Sequence, residues 1–191
     1  IPPRDGVTPS CTIVTAIAAL TDAAEAIVTV GWLGDSRAYW MHGGELRQLS
    51  QDDSWASAQI AAGVPEDDAY NDSRAHIITR WLGADATDLV PRVESLRFAR
   101  PSMLLLCSDG FWGPLTQRQM LHALLARGLE QAIPELAELA ETRGGPMSDN
   151  VSALAMTWGE EEVEPSGPAA EATIVQDFTA TDLDFMRMSD E

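Results

Sequence analysis

The most constraining stretch of this chain is residues 104–113, which read Leu-Leu-Leu-Cys-Ser-Asp-Gly-Phe-Trp-Gly. An apolar run that stops abruptly at Ser-Asp-Gly predicts a buried strand whose end delivers a carboxylate, that of Asp109, to a site. Gly110 lets the backbone turn sharply there, where a Cβ would restrict the approach of the chain to whatever Asp109 binds. Taken alone, Asp-Gly after a core strand is equally well a simple turn, so its meaning depends on the other carboxylates of the chain.

Composition narrows the chemistry before any further motif is considered. The net charge is -18, and residues 159–191 hold ten Asp and Glu against one Arg, so half of the imbalance sits in the last stretch. All twelve basic residues are Arg. Without Lys there is no Schiff-base chemistry, no phosphate-loop lysine and no Lys general base. A chain without a basic patch is also not expected to bind nucleic acid, because phosphate neutralisation needs clustered cations. The two cysteines, Cys11 and Cys107, both lie beside apolar stretches with no disulfide or zinc-type spacing, and are expected to be small core residues in a reducing cytoplasm. No apolar run is long enough to span a bilayer and no signal peptide is evident, so a cytoplasmic protein with no membrane partner is expected.

Periodicity and turn chemistry predict one domain over residues 1–158 and an acidic, disordered tail over 159–191. Residues 11–20 and 26–33 read as strands; residues 37–41 and 46–49 read as a hairpin about His42-Gly43-Gly44-Glu45, giving an antiparallel meander. Trp55, Ala58 and Ala62 share a helical face, with Gly63 and Pro65 ending the helix; residues 66–73 read as an unpatterned acidic loop. Residues 76–82 are β-rich, and Val93, Leu96 and Phe98 suggest a strand with an irregularity before Pro101. Thr116 and Gln119 form a capping-box pattern that starts a helix running to Ala126. A second amphipathic helix over residues 130–142 carries Leu136, Leu139 and Ala140 on one face, with Pro134 as a candidate first-turn proline. Residues 151–158 read as a last strand, preceded by Ser148-Asp149-Asn150.

Three carboxylates thus share one local situation: Asp35 follows a strand, Asp109 follows another, and Asp149 precedes a third. Strand ends bring distant residues together, and hard cations such as Mg²⁺ and Mn²⁺ take such oxygen ligands. A pair of these ions lowers the pKa of a bridging water and clamps the oxygens of a phosphoryl group. Each aspartate would equally well cap its own element, and spacing does not decide between the two.

The segments Gly34-Asp35-Ser36-Arg37-Ala38-Tyr39, Leu49-Ser50-Gln51-Asp52-Asp53-Ser54, Ile78-Thr79-Arg80-Trp81-Leu82-Gly83, Leu105-Leu106-Cys107-Ser108-Asp109-Gly110 and Ser148-Asp149-Asn150-Val151-Ser152 resemble, in order, successive motifs of the PP2C family of metal-dependent protein serine/threonine phosphatases, in its bacterial forms. The resemblance implies an α+β fold, an antiparallel β-sandwich flanked by α-helices, here N-terminally incomplete. It implies hydrolysis of phosphoserine or phosphothreonine on proteins by a metal-activated water, with two or more Mn²⁺ or Mg²⁺ ions. By the same resemblance Asp109 and Asp149 would ligate one ion and Asp35 would share a further one with Asp109. Asn150 would orient Asp149, Arg37 would hold the turn around Asp35, and residues 55–80 would be a mobile flap. Phosphorylated proteins, and a Ser/Thr kinase, are the implied partners.

The chain departs from that pattern in two ways. The earlier motifs that would supply an Arg, an Asn-Glu-Asp, an Asp-Gly-x-Gly-Gly and a His are not in it, and the usual Asp-His-Ser reads Asp52-Asp53-Ser54. It therefore reads either as an N-terminally truncated phosphatase, which predicts exposed apolar surface, or as a degenerate, catalytically inactive phosphatase-like binding or regulatory module. Cysteine-phosphatase chemistry is excluded, because no Arg follows Cys107 closely and nothing there lowers its pKa. A GDSL-type esterase would need a late His, and the last one is His122, inside a predicted helix. His42 and His76 offer no base either; all three histidines are expected to be structural or solvated.

Overall fold

The computed structural model of the chain describes residues 9–21, 25–99, 101–145, 149–158 and 172–176. Its elements are β1 (Ser10–Cys11), β2 (Ile13–Leu20), β3 (Glu25–Leu33), β4 (Arg37–His42), β5 (Glu45–Gln48), α1 (Trp55–Ala61), α2 (Glu66–Asn71), β6 (Leu82–Gly83), β7 (Arg92–Ala99), β8 (Ser102–Cys107), α3 (Asp109–Trp112), α4 (Gln117–Arg127), α5 (Leu129–Gly144), β9 (Ser152–Trp158) and β10 (Ala172–Gln176). The strands form a five-stranded sheet in the order β10-β9-β8-β4-β5, a three-stranded sheet β2-β3-β7, and a small pair β1-β6. Every pairing is antiparallel.

The alternation of side chains along β8 explains why its sequence is apolar without a break. Leu104 and Leu106 point into a cluster with Ala26, Val28, Val30, Trp32 and Phe98 of the three-stranded sheet. Met103, Leu105 and Cys107 point the other way, against Phe111, Met120, Ile133 and Leu136 of the helices. A strand buried on both faces reads as a continuous hydrophobic run, whereas β3, buried on one face, alternates along its length. The result is two packed sheets with helices on the outside of the larger one, the α+β sandwich expected. The outer face of the smaller sheet is exposed and apolar: Ile13, Val93 and Ile17, the last 71% accessible, all lie on it.

Local chemistry accounts for the helix starts. The Thr116 hydroxyl accepts from Gln119 N at 3.2 Å while the Gln119 side chain accepts from Thr116 N at 3.0 Å, the reciprocal cap the sequence announced. The Ser54 side chain accepts from Ser57 N to start α1.

Several expectations give way to longer-range forces. Residues 66–71 are a helix, not a loop: Glu66, Asp67 and Asp68 crowd its first turn, where the exposed N–H groups favour negative charge. Residues 76–82 are not a strand; Ile77 and Ala75 donate to Arg74 and Asp72 within a turn, and pairing is confined to one bridge, Ser54 with Ile78, and to Leu82–Gly83. β7 has no irregularity, its register with β3 running unbroken from Arg92 to Ala99. Val93 simply has the opposite parity from Leu96 and Phe98 and faces solvent. Pro134 lies inside α5 and not at its start, and the burial of Ile133, Leu136, Ala137 and Ala140 offsets the backbone bond it removes. Cys107 is buried, but Cys11 is exposed on β1. Ala172–Gln176, inside the tail expected to be disordered, pairs with β9; it is an uncharged segment with β-branched Thr173, Ile174 and Val175. The remaining tail, including the Phe178 to Met186 region, lies outside the described residues.

Candidate functional site

Strand register brings the three predicted aspartates to one end of the larger sheet. Arg37 of β4 is opposite Cys107 of β8, and Cys107 is opposite Ala153 of β9. Asp35 lies just before Arg37, Asp109 just after Cys107, and Asp149 just before β9, so antiparallel order places all three beyond the same ends of three adjacent strands.

The Asp35 turn is tightly specified. Gly34 has φ +106°, and a Cβ there would lie 2.4 Å from the Thr12 methyl, so no other residue fits without movement of the backbone or of Thr12. Ser36 Oγ is 2.8 Å from Thr12 Oγ1, and Trp112 Nε1 donates to the Asp35 carbonyl at 3.0 Å.

Asp109 opens α3, and its carboxylate accepts from Gly110 N at 2.9 Å. Gly110 is needed for close approach and not for a sharp turn, since a Cβ would meet the Asn150 carbonyl at 2.4 Å. Ser108 ties the same two segments: its hydroxyl donates to Asn150 O at 3.0 Å and accepts from Ser152 N at 3.0 Å. Asn150 orients Asp149 through its backbone, with N donating to Asp149 Oδ1 at 2.7 Å.

The charges of these groups oppose one another. Burial, and next the Asp109 carboxylate, push Asp35 up to about 6. Burial, and next Asp149, raise Asp109. Carboxylates that raise one another's pKa in this way favour a cation between them. Among the described residues no three His, Cys, Asp or Glu side chains gather into a metal-holding group. Hard oxygen donors from Asp35, Asp109 and Asp149 fit a divalent cation as part of its ligand set.

Arg37, expected to hold the turn around Asp35, is itself bound by Asp52. It binds Asp52 through Nε at 2.9 Å and Nη2 at 2.6 Å, donates to Tyr39 OH at 3.0 Å, and stacks 3.3 Å from the centre of the Trp112 ring. It reaches the Asp35 turn through Trp112. Cys107 is inert, its thiol pushed far up by burial. His42 Nδ1 is 2.7 Å from Pro101 O and its ring stacks on Trp40, while His76 and His122 are exposed.

Sequence reasoning did not assign roles to Trp112, Ser108 or Asp53. Asp53 is buried, accepts from Gly34 N at 3.1 Å, and pairs with Arg80 at 3.3 Å and Arg92 at 3.0 Å. The departure from Asp-His-Ser was the available signal for it. Residues 54–79, between Asp53 and Arg80, carry α1 and α2; Arg74 lies 4.3 Å above the Trp55 ring, and Tyr70 and His76 meet at 6.5 Å.

Two packed antiparallel sheets with helices outside the larger one and carboxylates gathered beyond its strand ends place the chain in the class of α+β sandwiches. Residues 5–152 match the protein phosphatase 2C family, and the chain belongs to it. It is 30% identical over 123 residues to the serine/threonine protein phosphatase PstP of Mycobacterium tuberculosis, covering 64% of this chain and 23% of that protein. It is 31% identical over 137 residues to the serine/threonine phosphatase stp of Listeria monocytogenes, covering 69% of this chain and 52% of that protein. A crystal structure of the PstP catalytic domain in complex with two manganese ions superposes with a TM-score of 0.56 at 27% identity, covering 79% of this chain and 58% of that one. The chain therefore spans about half or less of the length of these curated relatives. No helix among the described residues is long and apolar enough to cross a membrane.

Proposed function

We propose that this chain contributes the β-sandwich half of a metal-dependent protein serine/threonine phosphatase, acting on phosphoserine or phosphothreonine in proteins. The observation that carries this reading is the register-driven convergence of Asp35, Asp109 and Asp149, with burial and mutual repulsion raising Asp35 and Asp109. Asp35, Asp109 and Asp149 would hold Mn²⁺ or Mg²⁺, two ions or more in the complete site. When bound, these ions supply the positive charge that acidifies a water and offsets the charge of the phosphoryl group. The chain's own residues do the positioning: Gly110 N and Asn150 N each fix one carboxylate oxygen, and Trp112 Nε1 fixes the Asp35 peptide. Residues 55–80, the mobile flap of the resemblance, would control the approach of a phosphopeptide. A phosphoprotein, and the kinase that produced it, are the partners this chemistry requires. A cytoplasmic location and the absence of nucleic-acid and membrane partners remain part of the same reading.

A second reading, a phosphatase-like module that binds a phosphoprotein without turnover, is favoured by one observation. The described carboxylates do not close into a three-ligand group.

The test is Mn²⁺-dependent hydrolysis of a phosphothreonine peptide by this chain, beside Asp109→Ala and beside a version extended upstream. Turnover by either form that falls at least a hundredfold in Asp109→Ala supports the phosphatase. No turnover by either form, with retained phosphopeptide binding, leaves the binding module.

A further inference from the structure

Asp53 joins two parts of the molecule that are otherwise separate. Its backbone N donates to Gly34 O at 2.9 Å and its carboxylate accepts from Gly34 N at 3.1 Å, so both sides of the residue before Asp35 are gripped by one residue. Its carbonyl accepts from Thr79 N at 2.7 Å, and its carboxylate pairs with Arg80 at 3.3 Å, so it also holds the C-terminal end of the 54–79 segment. The N-terminal end of that segment follows directly in sequence, where Ser54 bridges Ile78. Arg92 of β7 completes the clamp at 3.0 Å.

We infer that Asp53 is a positioning residue through which the 54–79 segment sets the placement of Asp35. A displacement of Thr79 and Arg80 pulls on the carbonyl and the carboxylate of Asp53, and that carboxylate and the backbone N of Asp53 are both bonded to Gly34. The turn has little slack to absorb the pull, because the Thr12 side chain occupies the space beside Gly34 and Ser36 is bonded to Thr12 from the other side. The inference rests on the metal reading of Asp35 only for its functional consequence; the mechanical link stands on the bonds above.

The experiment uses the full chain with Arg80→Met, Arg80→Lys and Asp53→Asn. Amide hydrogen exchange in the absence of metal reads Gly34 to Ser36, residues 54–79, and the core strand Ser102–Cys107. Arg80→Met and Asp53→Asn are expected to raise exchange in the turn and in residues 54–79 together, at least tenfold beyond any rise in Ser102–Cys107, which reads the global loss of stability, with Arg80→Lys restoring protection in both. Exchange raised in residues 54–79 alone, or raised equally in Ser102–Cys107, overturns the coupling. Mn²⁺ affinity, read from the spectrum of the free ion, is expected to weaken about tenfold in Arg80→Met and recover in Arg80→Lys. Failure of the parent chain to take up Mn²⁺ counts against the metal reading of Asp35. The metal-free exchange result decides the coupling by itself.

Discussion

Asp53 and Asp35 are both buried carboxylates, 2% and 6% exposed, and they meet across Gly34, yet their surroundings are opposite in sign. Asp53 faces two guanidinium groups and a backbone N–H. Asp35 faces the Asp109 carboxylate most strongly, then its own backbone N–H and Asp52, with Arg37 the weakest influence. A buried charge whose partners are supplied by the protein is part of the scaffold, whereas a buried charge set against another of the same sign is held for a ligand. Asp52 belongs with Asp53, since Arg37 binds it in two places. Asp109 belongs with Asp35. Two functions thus occupy neighbouring aspartates, and what separates them is the sign of the nearest charge.

The largest effect expected from this contrast is that of Asp53→Ala. Removing the carboxylate leaves Arg80 with Asp88 as its remaining anion, takes the Asp53 partner from Arg92 and deprives the Gly34 N–H of its acceptor. Loss of one partner of a buried pair costs about 3 kcal/mol here, the lower end of the usual range because Arg92 reaches solvent. Urea denaturation of parent and variant measures it. A loss below about 1 kcal/mol would sink the view that this aspartate is scaffold.

Asp35→Asn should act in the opposite direction in the metal-free chain at pH 7. The folded-state value of about 6 lies above the ordinary 3.8, so the native state binds the proton more tightly than the unfolded state. Stability from this group is therefore complete below about pH 4, declines as pH rises to about 6, and stays low beyond. The decline is roughly 2 kcal/mol, from a shift of about two units discounted for solvent relaxation. Asparagine has no such titration, so the variant should be more stable than the parent at pH 7 by a similar amount, with the part of the decline due to Asp35 absent from its pH profile. Excess Mn²⁺ should stabilise the parent more than the variant, which keeps Asp109 and Asp149. A destabilised variant at pH 7 would mean that Asp35 is structural after all.

How much of this was legible in the sequence follows the range of the forces involved. The capping box of α4, the buried strand before Asp109 and the strand-end position of Asp35 are local patterns, written in adjacent residues. The partner of Arg37 was not legible, because Asp52 is 15 residues away and competes only in the folded state. Nor was the Trp112 bond to the Asp35 carbonyl, which spans 77 residues. The acidic segment of α2 reads as loop by composition and becomes helix by the position of its charges in the first turn. Asp53 stood out only as a departure from the family pattern, and its meaning needed the two arginines that arrive 27 and 39 residues later.

The smallest expected effect tests whether distance or burial distinguishes the scaffold aspartates. Asp72 receives two bonds from the Arg74 side chain at 2.9 Å, a closer pair than either arginine makes with Asp53. The Arg74 hydrogen bonds pull the Asp72 carboxyl down to about 2. Yet both side chains are open to water, which screens the attraction and leaves two flexible groups to be ordered for little gain. Asp72→Asn should therefore leave the urea midpoint at pH 7 unchanged within error, despite the short contacts. If it instead lowered the midpoint as far as Asp53→Ala, contact distance alone would set the value of these pairs. The division between Asp53 and Asp35 would then have to be drawn on something other than burial and the sign of the facing charge.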